Sequence, residues 1–235
     1  MGTIWTVCSG NGGVGKTTIA LSIAAGAAKA GKKTILVDAC GIARSCDLAL
    51  GLESVMTLDL KDVLHNQVHM DAALDPVARY ENLRITCTSL HDQTPVCDLS
   101  SMILALHSMC DVLVIDMPTG QCSLGRGMMR GEDRRLFVVR PDDASIRSTE
   151  RMMMLPADSA MNELIINRIS KDRIKRKTQY PQSTVESLLD LPALACIPED
   201  SGVSECEHAA RAAIESSGPA KSALNILTKA LLSGA

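Results

Sequence analysis

The sequence predicts an α/β fold: a doubly wound, mostly parallel sheet with helices on both faces, in a single domain that spans residues 1–235. Short apolar runs, many of them β-branched, alternate along the chain with helical patterns. Such alternation is typical of parallel strands joined by right-handed crossover helices. Hydrophobic residues make up 46% of the 235 residues, which is enough to bury one full core.

The predicted elements follow each other along the chain without a linker. Strands are predicted at Thr3–Cys8, Thr34–Val37, Leu83–Cys87, Asp111–Ile115, Leu136–Val139, Leu164–Asn167 and Leu194–Ile197. Helices are predicted at Thr17–Ala30, Leu58–Leu64, Leu99–Met109, Ala144–Met154, Thr184–Leu189, Val203–Ile214 and Ala220–Leu232. The strands are short and apolar, as expected where both faces of a sheet are covered.

Charge and cysteine content limit which partners the protein can bind and which cellular compartment it can occupy. Because the net charge is −3 and the pI is near 6.0, binding to nucleic acid or anionic lipid would need a local patch. The nine cysteines form no C-x-x-C pair and no compact zinc spacing, and no secretory signal precedes them. We therefore expect reduced, mostly buried thiols and a cytoplasmic location, with recruitment to membrane or nucleoid left to partners.

A glycine-rich loop follows the first predicted strand. Its sequence GNGGVGKT, residues 10–17, matches the phosphate-binding pattern G-x-x-x-x-G-K-[ST] between an apolar strand and an Ala-rich helix. Backbone N–H groups of such a loop surround phosphate oxygens at the helix N-terminus. The residues predicted to bind a nucleotide's phosphates are Gly10, Asn11, Gly12, Gly13, Val14, Gly15, Lys16, Thr17 and Thr18. Lys16 adds a positive charge, and the Thr17 hydroxyl is a ligand for Mg²⁺.

Two acidic residues end predicted strands and belong with this loop. Asp38 and Asp116 each follow a short apolar run. Because ligands of open α/β sheets bind at the carboxyl ends of the strands, both carboxylates should project into one crevice. We predict that Thr17, Asp38 and Asp116 hold Mg²⁺, and that Lys16, Asp38 and Asp116 are the catalytic residues. The alternative is that a strand-end acid only caps the helix that follows it.

Further motifs occur along the chain in a fixed order. They are SGNGGVGKTT at 9–18, AKAGKKTILVD ending at Asp38, Arg44-x-x-Asp47-Leu48, Glu81–Leu83, Asp116-x-Pro118-x-Gly120, Ser145–Arg147 and Ile197–Asp200. With them the chain resembles the MinD/ParA family of deviant Walker A P-loop ATPases, and MinD-like proteins most of all. The resemblance implies an ATPase that binds ATP or ADP with Mg²⁺, forms a homodimer with ATP, and positions division, flagellar, pilus or chromosome machinery with an activating or localising partner protein. It also implies an adenine pocket made by Asn167, Arg168, Pro198, Glu199 and Asp200.

Two residues depart from the pattern of that family. Asn11 is neutral and stands where the family has a lysine that reaches the partner's phosphates. Cys40 stands where the family has an acidic residue that positions the attacking water. A positive side chain that reaches across to the partner's phosphates, an arginine finger or its equivalent, contributes about 10³- to 10⁵-fold to the rate in related NTPases. A general base contributes about 10²- to 10⁴-fold. We predict good ATP binding with hydrolysis that is slow or depends on a partner, unless Arg44 or Asp47 substitutes and turnover is ordinary.

Two other functions fit the same motifs. One is a nucleotide-binding scaffold that recruits partners without useful turnover. The other is a metallocluster maturation ATPase, for which Cys87, Cys97 and Cys122 are the candidate ligands, although cysteines are scattered through the whole chain.

A basic run and the last predicted helix are the candidate sites for binding DNA and membrane, respectively. Residues 168–177 are either a solvated loop or a patch that contacts DNA nonspecifically. The last predicted helix places apolar residues on one face, which favours packing on the core, so direct membrane binding is not expected. These residues are Ala220, Ala223, Leu224, Leu227 and Leu231.

Overall fold

The computed structural model describes residues 2–40, 45–88, 96–120, 131–154 and 160–234, with the backbone alone for 96–98. Its strands are β1 (Thr3–Cys8), β2 (Thr34–Asp38), β3 (Asp75–Pro76), β4 (Leu83–Cys87), β5 (Val112–Asp116), β6 (Arg134–Val139), β7 (Met161–Ile169) and β8 (Ala193–Pro198). They form one sheet in the order β3-β4-β2-β5-β1-β6-β7-β8. Only the β3–β4 pairing is antiparallel among these strands, so the predicted mostly parallel sheet is confirmed.

Helices cover both faces of this sheet. They are α1 (Lys16–Lys29), α2 (Ser45–Leu50), α3 (Leu60–Leu64), α4 (Val96–His107), α5 (Asp143–Met153), α6 (Lys171–Lys175), α7 (Gln182–Leu189), α8 (Ser201–His208) and α9 (Pro219–Ser233). Alternate residues of β1 enter two separate cores, since successive side chains of a strand point to opposite faces. Trp5 and Val7 pack with α1 and α9, whereas Ile4 and Cys8 pack with α4, α5 and α7.

Besides the unpredicted short strand β3 and a 3₁₀ turn at Met70–Ala73, three helices differ from the sequence prediction. The helix expected over Val203–Ile214 ends at His208, because Ala210 adopts a left-handed φ of 52° that breaks the helical path, and a 3₁₀ turn follows at Ala213–Glu215. Helix α2 forms where only a motif was noted. Helix α6 forms inside the basic run, where Ser170 caps it by accepting a hydrogen bond from the Arg173 N–H.

The last helix packs on the core as predicted. Ala220, Leu224, Leu227 and Leu231 are buried between α9, β8 and α1. A Cβ on Gly26 of α1 would lie 2.8 Å from Thr228, so the two helices meet closely because α1 carries a glycine there. Within the described ranges, every helix is too short or too polar to span a membrane.

The strand register brings the predicted site together. In the parallel β2–β5 pair, Asp38 lies directly opposite Asp116, and β1 pairs Val7 with Asp116 on the other side. All three strands therefore end at one edge of the sheet, next to the loop that connects β1 to α1.

Candidate nucleotide-binding site

The loop between β1 and α1 needs glycine at three positions. Gly13 and Gly15 have φ angles of 72° and 93°, a left-handed conformation that other residues rarely adopt. A Cβ on Gly15 would also come within 2.2 Å of the Asn167 amide nitrogen, and one on Gly10 within 2.5 Å of Ser148. The glycines thus shape the loop and let it approach its neighbours.

The other loop residues contribute in different ways. Val14 is buried in the core, so its backbone rather than its side chain is available to the site. Gly12 is exposed and has open space around it. Asn11 is half-buried, and its carbonyl accepts a 3.0 Å hydrogen bond from the Ser9 hydroxyl.

Lys16, Thr17 and Asp116 converge at the start of α1. The Lys16 ammonium lies 2.7 Å from Asp116 Oδ1, and the Thr17 hydroxyl donates to Asp116 Oδ2 over 2.6 Å. Both charged side chains are buried, with exposures of 6% for Lys16 and 0% for Asp116. The carboxylate therefore holds the lysine and the threonine at the carboxyl end of β5, where the sequence predicted them.

Asp38 holds the backbone of two cysteines, Cys40 and Cys46. Its two carboxylate oxygens accept hydrogen bonds from the backbone N–H groups of Cys40 (2.9 Å) and Cys46 (2.8 Å). Cys40 in turn accepts a 3.3 Å hydrogen bond from the Lys16 ammonium. Cys46, which sequence reasoning missed because helix α2 was not expected, places its thiol in the same cluster.

Burial and neighbouring charges both shift the pKa values of these groups. Burial raises the pKa of Asp116 above its ordinary value, although the Lys16 ammonium opposes that shift. For Lys16, burial lowers the pKa, but Asp116 and Cys40 together outweigh it and the pKa ends above its usual range. Burial, followed by the Asp116 carboxylate, also raises the pKa of the Cys40 thiol, so Cys40 is neutral at physiological pH, unlike a carboxylate.

Two adjoining cavities open at this edge of the sheet. The first, of about 480 Å³, is lined by the glycine loop together with Lys16, Thr17, Cys40 and Pro118. The second has a volume of about 380 Å³ and shares Gly15, Thr18 and Arg168 with the first. Its walls hold the residues predicted for an adenine pocket, namely Asn167, Arg168, Pro198, Glu199 and Asp200.

Several of these wall residues also have structural partners. The Asn167 amide donates to the Val14 carbonyl over 2.8 Å, which ties β7 to the glycine loop. Asp200 caps α8 by accepting from the Gly202 N–H at 2.8 Å, and it also accepts from the Ala220 N–H of α9 at 3.0 Å. Asp200 therefore sets the shape of the cavity through two helix N-termini.

Glu207 is a wall residue that the sequence did not reveal. It accepts a 2.8 Å hydrogen bond from the hydroxyl of Thr18, which was predicted to bind phosphate. Glu207 lies in α8, 189 positions further along the chain, so no local pattern could have paired the two residues.

Other predicted residues fall outside this cluster. Arg44 and Cys122 lie outside the described residues, as does the side chain of Cys97. Cys87 is buried in the core beside α1, and the described cysteines are free thiols.

The basic run lies at the rim of the second cavity. Its cations are exposed, and Arg173 forms a 3.1 Å ion pair with Glu199. They are Arg168, Lys171, Arg173, Lys175, Arg176 and Lys177.

Comparison with known proteins agrees with this geometry. A family model described as the CobQ/CobB/MinD/ParA nucleotide binding domain matches residues 5–211. The septum site-determining protein MinD of Helicobacter pylori is 30% identical over 213 residues, which cover 85% of this chain and 79% of that protein. The chain therefore belongs to the CobQ/CobB/MinD/ParA family of nucleotide-binding domains.

Solved structures show the same fold. MinD of Aquifex aeolicus, alone or in a complex with MinC, matches with a TM-score of 0.88 at 26% identity, covering 98% of this chain and 97% or 96% of that one. MinD of Pyrococcus horikoshii, complexed with Mg-ADP, matches with a TM-score of 0.85 over 100% of this chain and 98% of that one. At 24% identity this second likeness concerns the fold alone.

Proposed function

We propose that this protein binds Mg·ATP across the two joined cavities and acts as a MinD/ParA-type switch that dimerises with ATP and positions cellular machinery through a partner protein. The observation that carries the proposal is the meeting of Lys16, Thr17 and Asp116 at a cavity that continues to Asn167. The names of the relatives support it, since one determines septum sites and another forms a complex with MinC.

Each end of the nucleotide has residues of suitable chemistry. The loop N–H groups and Lys16 would hold the phosphates, and the Asn167 amide, which can both donate and accept, would read the adenine edge. The Thr17 hydroxyl and the Asp116 carboxylate fit Mg²⁺, because both offer the hard oxygen ligands that this ion takes and their oxygens are 2.6 Å apart. Asp38 would belong to the outer shell of the ion.

Nucleotide binding would exchange the partner of Asp116. In this structure the carboxylate is paired with the Lys16 ammonium. When Lys16 turns to the phosphates, the buried carboxylate loses that partner, and leaving it unpaired would be costly. Bound Mg²⁺ would supply the positive charge that neutralises Asp116 and the phosphates together. We therefore expect tight ATP binding to require Mg²⁺.

Two residues support slow or partner-dependent hydrolysis. Asn11 lines the phosphate cavity but has no charge to offer a second subunit. Cys40 lies at the position of the expected acid, and its raised pKa leaves it a neutral thiol that cannot accept a proton from water. A partner that supplied either function would accelerate turnover.

The binding part of the proposal is tested by calorimetric titration of ATP with Mg²⁺ or with EDTA. The wild type should bind ATP far more tightly with Mg²⁺, and Thr17→Val should remove most of that gain. Thr178→Val, a change at an exposed threonine away from the cavities, is the matched control. Equal affinity with and without Mg²⁺ would contradict the proposal.

A nucleotide-binding scaffold without useful turnover is the second candidate. The combination of Asn11 and Cys40 favours it, because both expected chemical groups are absent while the phosphate loop is intact. The two functions differ in what ends the bound state: hydrolysis in a switch, and nucleotide exchange in a scaffold. Release of inorganic phosphate upon addition of a partner distinguishes them.

A further inference from the structure

Two thiols lie beside the two strand-end carboxylates. Asp38, Cys40 and Asp116 each offer one potential ligand atom, and these three atoms lie within 4.8 Å of one another. The Sγ atom of Cys46 approaches the same group, at 3.7 Å from Asp116 Oδ2. Cys40 Sγ is 3.6 Å from that same oxygen, so one carboxylate oxygen faces both sulfurs.

These distances match the edges of a tetrahedral metal site. Zinc binds thiolate at about 2.3 Å and carboxylate oxygen at about 2.0–2.2 Å, which in tetrahedral geometry separates sulfur from oxygen by about 3.6 Å. Both Sγ–Oδ2 distances, 3.6 and 3.7 Å, agree with that value. Each thiol is therefore spaced from Asp116 Oδ2 as two ligands of one ion would be.

The backbone holds both cysteines in this arrangement. Asp38 accepts a hydrogen bond from the N–H group of each, at 2.9 and 2.8 Å, and Cys46 is fully buried. Cys40 lines the phosphate cavity, which gives an ion a route to the cluster. A preorganised ligand set with an entry path is what a metal site requires.

We propose that this cluster is a binding site for a thiophilic divalent cation such as Zn²⁺, formed by Cys40, Cys46 and Asp116 with Asp38 alongside. Two sulfur ligands favour Zn²⁺ or Cd²⁺ over Mg²⁺, which prefers oxygen ligands in an octahedral arrangement. Each thiol gives up its proton to solvent when the ion binds.

The site and the nucleotide compete for the same carboxylate. Asp116 would serve either the thiophilic ion or the Mg²⁺ of a bound nucleotide, so the first is a ligand of the nucleotide-free protein. In this structure the Lys16 ammonium supplies the positive charge in the cluster. It lies 2.7 Å from Asp116 Oδ1 and 3.3 Å from Cys40 Sγ. A divalent ion must displace that ammonium, and removing it should strengthen metal binding.

The test is a titration of the nucleotide-free full chain with Cd²⁺, followed by the ultraviolet thiolate-to-metal charge-transfer band. One equivalent should bind with the intensity of two thiolates, and Zn²⁺ should displace it. Cys40→Ser and Cys46→Ser should each weaken binding by more than about tenfold, since even outer-shell changes at metal sites cost 10- to 100-fold. Cys110→Ser, at a half-buried thiol outside the cluster, should leave the titration unchanged.

A variant that is expected to increase Cd²⁺ affinity distinguishes loss of the site from unfolding. Lys16→Ala should tighten Cd²⁺ binding by about tenfold or more, as expected when a competing charge leaves the site. Excess Mg·ADP should abolish the band in the wild type. The proposal is overturned if the band persists in the Cys40→Ser/Cys46→Ser variant, or if Lys16→Ala weakens it. Because the Cd²⁺ titration is completed before Mg·ADP is added, its failure leaves the ATP proposal standing.

Discussion

The buried pair of Lys16 and Asp116 allows a quantitative prediction for the nucleotide-free protein. Asp116→Asn would leave the Lys16 ammonium, 6% exposed, without a counter-charge. Removing one partner of a buried pair costs about 3–5 kcal/mol, and we expect that loss in the free energy of unfolding. Adding Lys16→Met removes the uncompensated charge, so the double variant should recover about 2 kcal/mol or more relative to Asp116→Asn.

The assay is urea unfolding followed by circular dichroism, in buffer free of Mg²⁺ and nucleotide. Asp71→Asn is the control, because it removes an exposed ion pair with Arg84, and such pairs contribute about 0–1 kcal/mol. A loss below about 1 kcal/mol for Asp116→Asn, or no recovery in the double variant, would refute the electrostatic reasoning.

Three further predictions concern the loop, the cavity wall and alkaline pH. Gly15→Ala should abolish ATP binding, because its Cβ would come within 2.2 Å of the buried side-chain amide of Asn167. The control is Gly31→Ala, which also lies at a positive φ but has open space around it. It should strain the backbone without affecting ATP binding. Glu207→Gln should tighten ADP binding severalfold by calorimetry, since it weakens the hold of a carboxylate on Thr18, which is predicted to bind phosphate; weaker binding would contradict this. Burial raises the pKa of Cys110 to about 12 from 9.0, so the folded state keeps a proton that the unfolded state loses. Stability should therefore fall between pH 9 and 12, by up to about 1.4 kcal/mol per pH unit from this thiol, and urea unfolding of Cys110→Ser should show a shallower fall.

The sequence predicted those parts of the site that depend on strand ends. Asp38 and Asp116 could be placed at one crevice because parallel strands share a carboxyl edge, and the glycine loop could be placed beside them because its motif requires a strand before it and a helix after it. Their roles toward a nucleotide remain proposals.

Other features depend on contacts between distant segments. Glu207 meets Thr18 across 189 positions, and Asp200 bridges two helix N-termini that only the folded chain brings together. The short helix α6 was missed because its burial is slight, and its start depends on a single capping residue, Ser170. Hydrophobic periodicity in the sequence cannot predict such contacts, because they join residues far apart along the chain.

The central claim is that Asn11 and Cys40 slow an otherwise ordinary ATP-dependent switch. The most direct measurement is ATP turnover together with mass by light scattering, with ATP and with ADP, for the wild type and for Asn11→Lys/Cys40→Asp. We predict slow turnover in the wild type, with faster turnover and ATP-dependent dimers in the double variant. Rapid turnover and ATP-dependent dimers in the wild type, without any partner, would contradict the claim.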